Sequence, residues 1–87
     1  MRAIIVGAGD VGYDVARMLS LQRHDVTVVD RDPARIAYVQ ETLDVLTVEG
    51  SGTNTATLQQ ARIEDADLLV AVTDVDEVNI IASMIAE

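Results

Sequence analysis

The chain has 87 residues, 15 of them acidic against 6 arginines, with no lysine, no cysteine and a formal charge of −9. That acidic excess excludes a nucleic-acid partner, which is held mainly through cationic contacts to phosphate, and docking on an anionic membrane surface. The missing cysteines exclude disulfides, thiolate metal sites and cysteine nucleophiles. A hydrophobic share of 49% suffices for one core, and with Tyr13 and Tyr38 as the only aromatics, Val, Ile, Leu, Ala and Met must fill it. The apolar run 3–6 is too short for a secretory signal, and no stretch approaches the ~18 apolar residues of a membrane span. The chain therefore reads as soluble and cytoplasmic, with no direct membrane insertion.

In chain order, the first run, 2–6, is continuously apolar rather than alternating, as suits a strand buried on both faces. Gly7-Ala8-Gly9 breaks it. From 10 to 21, Val11, Val15, Ala16, Met18 and Leu19 recur at helical spacing, with Met18 expected in the core. His24 is expected in a solvent-facing turn. A second strand, 25–29, ends at Asp30, and Asp32-Pro33 opens a helix with an Asp cap and Pro in its first turn. Ile36, Val39 and Leu43 form its inward stripe, and it fades near 42–44. A third strand, 45–48, stops at Gly50-Ser51-Gly52. A short helix over 53–62 turns Leu58 and Ala61 inward, with Thr53 or Ser51 as its cap. A fourth strand, 67–72, again lacks alternation. A fourth helix is expected from 74 to the end, on Val78, Ile81, Ala82 and Ile85, with Met84 also inward. The order β-α-β-α-β-α-β-α predicts an α/β fold, a Rossmann-like doubly wound parallel sheet. The chain reads as one unit, 1–87, a piece of a longer chain, with its fourth strand at an uncovered edge.

Gly7-Ala8-Gly9-Asp10-Val11-Gly12 matches G-x-G-x-x-G between a strand and a helix, the context in which that string signifies dinucleotide binding. Gly7 permits the tight turn, Gly9 lets backbone approach a pyrophosphate, and Gly12 lets the helix pack closely on the strand. The helix amides and dipole then face the phosphates. Asp30 follows Gly12 by 18 residues at a strand end, where a carboxylate accepts both hydroxyls of an adenosine ribose and repels a 2′-phosphate. This favours NAD(H) over NADP(H). Arg31 beside it can soften that preference or stack on adenine, and Asp10, near the phosphates, reads as a helix cap ahead of the alternative, a sensor of cofactor charge. The loop Glu49-Gly50-Ser51-Gly52-Thr53 is expected to border the adenosine half, or to serve only as a turn and cap. Thr73 and Asp74 end the fourth strand on the same rim. Asp74, Asp76, Glu77 and Asn79 read as partners of a helix dipole rather than a metal site. No nucleophile–base pair or lysine base is present, so binding is supported and catalysis is not.

These residues resemble the RCK or KTN (Trk-N) nucleotide-binding domain of potassium-channel and transporter regulators. The likeness rests on IIVGAGDVG (4–12), VTVVD (26–30), VEGSGT (48–53) with Leu58, and ADLLVAVTDVDEVN (66–79). The last stretch is the most discriminating, since its T-x-x-D-E-x-N is seldom found in dehydrogenases. The resemblance implies a ligand-gated regulator rather than an enzyme. It would bind NAD(H), or ATP or ADP, and form homo-oligomers, as dimers or tetrameric rings. It would sit peripherally on the inner face of the cell membrane, on a potassium transporter or channel subunit. It further implies that Gly7 to Val11 hold the pyrophosphate, Asp30 the ribose, Ser51 the adenine side and Thr73-Asp74 the nicotinamide side. Many relatives carry Asp, Asn or His where this chain has Ser51. The alternative from the residues is the cofactor half of an NAD-dependent oxidoreductase, and a weaker one is a stand-alone nucleotide sensor.

Overall fold

The computed structural model describes residues 1–72 and the strand Val78–Ala82. In β1 (Arg2–Val6) the side chains of Ala3, Ile4 and Ile5 are fully buried, so both faces of the strand are covered. Successive residues point to opposite faces, and they divide the core in two. Ile5 lies with Val28, Val39, Val70 and Ala16 on one side, and Ile4 with Val29, Ala61 and Ala66 on the other. The first cluster is roofed by α1 (Asp10–Leu21) and α2 (Pro33–Thr42). The second is covered by the end of α3 (Thr55–Gln60) and the 3₁₀ turn Ile63–Asp65.

The sheet runs in the order β3 (Leu46–Glu49), β2 (Asp25–Asp30), β1, β4 (Leu68–Val72), β5 (Val78–Ala82). The first four strands are parallel, as the unbroken apolar runs predict. Their register pairs Val6 with Val29 and Ala71, and Asp30 with Glu49, so the carboxyl ends line one rim. In an open parallel sheet that rim is where ligands lie.

Several expectations are corrected. The segment 78–82 is not helical but pairs antiparallel with β4, from Leu68 opposite Ala82 to Val72 opposite Val78. Val78, Ile80 and Ile81 are β-branched, and pairing supplies partners to the backbone groups of β4 that an edge position would leave open. The fourth strand is therefore not at an edge. Met18 is 57% exposed rather than a core filler, because Ala16 and the half-buried Val15 and Leu19 already face the sheet. His24 is half-buried rather than fully in solvent. The third helix is shorter than expected and is capped by neither Thr53 nor Ser51. Asn54 is its cap, its side-chain oxygen accepting the amides of Ala56 and Thr57. Of its expected inward residues Ala61 is buried and Leu58 half-buried, while Thr57 is buried without having been expected. Met84 lies outside the described residues.

Candidate functional site

The turn after β1 exists because Gly7 adopts a φ of +104°, a conformation side chains rarely tolerate. A Cβ there would also come within 2.6 Å of the Val72 carbonyl oxygen on the neighbouring strand. Gly12 has a different reason. A Cβ on it would overlap the Gly7 carbonyl oxygen and lie 2.9 Å from its carbon, so α1 can sit this close to the β1 turn only without one. Gly9 has a third. A Cβ there would meet little, its nearest neighbour being Arg35 Nη1 at 3.8 Å, and the residue lines the open rim.

Gly9 is also the N-cap of α1, and no side chain caps it. Asp10 does not take the expected capping role: it is the first helical residue, exposed, and contributes only charge near the positive end of the dipole. The amides of Gly7 and Ala8 are occupied, donating to the Val29 carbonyl at 2.8 Å and to Asp30 Oδ2 at 2.8 Å. Among the described residues, the amides of Gly9, Asp10 and Val11 meet no acceptor. They are the free donors that a helix start leaves by construction.

Among the described residues, Asp30 is the buried charge of the rim, its side chain 8% exposed. Oδ2 takes the Ala8 amide and Oδ1 takes the Asp32 amide at 2.8 Å, so the carboxylate ties the glycine turn to the entry of α2. Capping of α2 falls to Asp32, whose Oδ1 accepts from Ala34, as the Asp-Pro signal predicts. Asp30 is thus not spent on the helix end. A carboxylate has about four acceptor positions, so two amides leave room for hydroxyl donors.

Gly50 closes the second side of the rim by donating to the Asp30 carbonyl at 2.9 Å. The Ser51 hydroxyl is engaged inside its own turn, 2.8 Å from the Thr53 hydroxyl and accepting the Thr53 amide. The Ser51 carbonyl accepts the Asn54 amide, so this loop is a folded turn rather than a slack one.

Together these segments line an open cleft of about 1430 Å³. Gly7, Ala8, Gly9, Asp10, Val11, Asp30, Arg31, Gly50 and Ser51 all face it. Gly12 lies beneath, buried against the turn. Thr73 and Asp74, expected on the same rim, lie outside the described residues, as do Asp76 and Glu77. Sequence reasoning missed Arg35, Tyr13 and Tyr38, which also line the cleft. Arg35 stands in the first turn of α2, with Nη1 3.7 Å from Asp30 Oδ2 and Nε 3.9 Å from Asp32 Oδ2. The i, i+3 spacing of Asp32 and Arg35 was the available signal. Tyr13 and Tyr38 join α1 to α2, their ring centroids 5.2 Å apart. The Tyr13 hydroxyl donates to Thr42 Oγ1, which donates on to the Tyr38 carbonyl. The neighbouring Tyr13 phenol holds the Tyr38 hydroxyl above its ordinary pKa of 10.0.

The sequence that builds this site matches the TrkA-N domain family over residues 3–87. The chain belongs to that family. Its curated relatives include the Trk system potassium uptake protein TrkA of Halomonas elongata, 48% identical over 99% of this chain and 19% of that protein. A TrkA homolog 1 of Methanosarcina mazei is 49% identical over all of this chain and 19% of that protein. The TrkA homolog of Archaeoglobus fulgidus is 41% identical over all of this chain and 20% of that protein. The TrkA-N domain described here thus spans about a fifth of the length of the relatives it matches. No helix among its described residues is long and apolar enough to cross a membrane.

Proposed function

We propose that this TrkA-N domain is the nucleotide-binding regulatory part of a potassium-uptake system, with NAD(H) as its ligand and ATP or ADP as the alternative. The observation that carries the reading is the Asp30 carboxylate, buried and oriented by two amides at the mouth of a cleft whose glycine turn leaves amides free. The pyrophosphate would lie on Gly9, Asp10 and Val11, held by backbone donors and the helix dipole, which work despite a net charge of −9. The adenosine ribose would meet Asp30. Arg31 and the Gly50-Ser51 turn would flank adenine, and Thr73-Asp74 the nicotinamide side. The names of the relatives support a role in potassium uptake.

The domain acts by binding rather than catalysis, as one domain of a longer chain. It works as a homo-oligomer at the cytoplasmic face of the membrane, through a potassium-translocating membrane partner. Regulation requires that nucleotide favour one arrangement of the assembly over another, since a ligand shifts an equilibrium only by its differential affinity. Thermal unfolding in NAD⁺, NADH, ATP and ADP tests the binding. A ligand present at 100 times its Kd stabilises by about 2.7 kcal/mol, and no shift with any of the four at millimolar concentration would refute it. Co-purification of the full-length protein with a potassium transporter tests the partner. Nucleotide-insensitive potassium flux in that complex would refute the regulatory role.

A further inference from the structure

Resting on the nucleotide reading above, we propose that Arg35 makes this cleft select a diphosphate-bearing nucleotide over the bare nucleoside. Among the described residues, the cleft is lined by three carboxylates, Asp10, Asp14 and Asp30, and by two cations, Arg31 and Arg35. An anionic ligand approaching this acidic chain meets a repulsive field, which backbone amides offset only in part. A cation directed at the phosphates removes the deficit, and Arg35 is the one whose geometry fits.

Its guanidinium spans the two halves of the site. Nη1 stands 3.7 Å from Asp30 Oδ2 on the ribose side and 3.8 Å from the position a Cβ on Gly9 would occupy on the pyrophosphate side. The separations from Asp30 and Asp32 exceed hydrogen-bonding distance, so the fork is attracted to both carboxylates without its donors being consumed. The side chain is 48% exposed, so a ligand entering the cleft from solvent can reach it. A guanidinium presents paired donors that match phosphate oxygens, a geometry an ammonium lacks. Arg31, directly after Asp30 on the strand end, is exposed and makes no ion pair among the described residues. Its place suits the base, whose contacts a nucleoside and a nucleotide share.

Calorimetric titration of the protein with adenosine and with ADP, in the unsubstituted form and as Arg35→Gln, Arg35→Lys and Arg31→Gln, tests the assignment. Arg35→Gln should weaken ADP by about tenfold, the scale of a charge-assisted contact in a half-exposed site, and leave adenosine within about twofold. Arg35→Lys should fall between, and the salt dependence of ADP affinity should flatten in Arg35→Gln. Arg31→Gln should weaken both ligands alike. Equal losses of adenosine and ADP in Arg35→Gln, or no loss of either, would overturn the role given to Arg35 while leaving the nucleotide reading standing. Failure of the unsubstituted protein to bind ADP would likewise overturn the role given to Arg35, and the nucleotide reading falls with it only if NAD⁺, NADH and ATP also fail to bind.

Discussion

Alanine at Gly12 and at Gly9 should separate the two services that one glycine motif performs. In open helix, Gly→Ala stabilises by about 0.5–1 kcal/mol through reduced chain freedom. At position 12 the new Cβ overlaps the Gly7 carbonyl oxygen and lies 2.9 Å from its carbon, both backbone atoms that no rotamer change can move. Relief requires α1 to retreat from the β1 turn by on the order of 1 Å, opening contacts around fully buried Ala16 and Ile5. Set against the propensity gain, a net loss of about 2–4 kcal/mol follows, or roughly 10–25 °C in Tm for a domain of this size. At position 9 the nearest atom to a new Cβ is 3.8 Å away, and φ of −72° suits any residue. Loss of a glycine N-cap and the gain in chain stiffness roughly cancel, so stability should stay within about 1 kcal/mol. Urea unfolding of both variants measures the difference, and nucleotide affinity should fall at least about tenfold in Gly9→Ala, whose Cβ intrudes on the ligand side. Stability of Gly12→Ala equal to the parent, or equal losses at both positions, would refute this division of labour.

Asp30→Ala leaves the buried Ala8 amide without an acceptor and should cost about 2–3 kcal/mol in urea unfolding; Asp30→Asn should not restore it, because its amide group turns a donor toward one of the two N–H groups. Asn54→Ala removes the acceptor for two helix amides and should cost about 1 kcal/mol, read by the same assay. Tyr38 is held above 10.0 by Tyr13, so the phenol stays neutral longer in the folded state, and whatever the pair contributes is lost as pH rises through that elevated value. In Tyr13→Phe the ultraviolet titration of Tyr38 should move back toward 10.0; an unchanged titration would remove Tyr13 as the cause.

The first three strands and first two helices were legible because their signals are local and agree. Continuous β-branched runs mark strands buried on both faces, and Asp32-Pro33 announces a helix start by two independent mechanisms. The glycine turn and Asp30 were legible because the motif's spacing encodes a backbone geometry. The carboxylate's hydrogen bond to the Ala8 amide was not, since it depends on register across 22 residues. The segment 78–82 was misread because Val78, Ile81 and Ala82 fit a helical stripe as well as a strand. The open side of β4, a non-local fact, favours the strand. Met18 was misread because a twelve-residue helix offers more apolar positions than its sheet-facing stripe can bury. Arg35 and the tyrosine pair escaped because they come from helix faces whose mutual approach only the packing of α1 and α2 on the sheet determines.

The central claim, that the buried Asp30 makes this cleft a site for a nucleotide with a free 2′-hydroxyl, is tested most directly by competing NADH against NADPH for the unsubstituted protein and for Asp30→Ala. The account predicts saturable binding with NADH preferred, and loss of both the affinity and the preference when the carboxylate is removed. A tenfold or greater preference for NADPH, or affinity unchanged in Asp30→Ala, would contradict it.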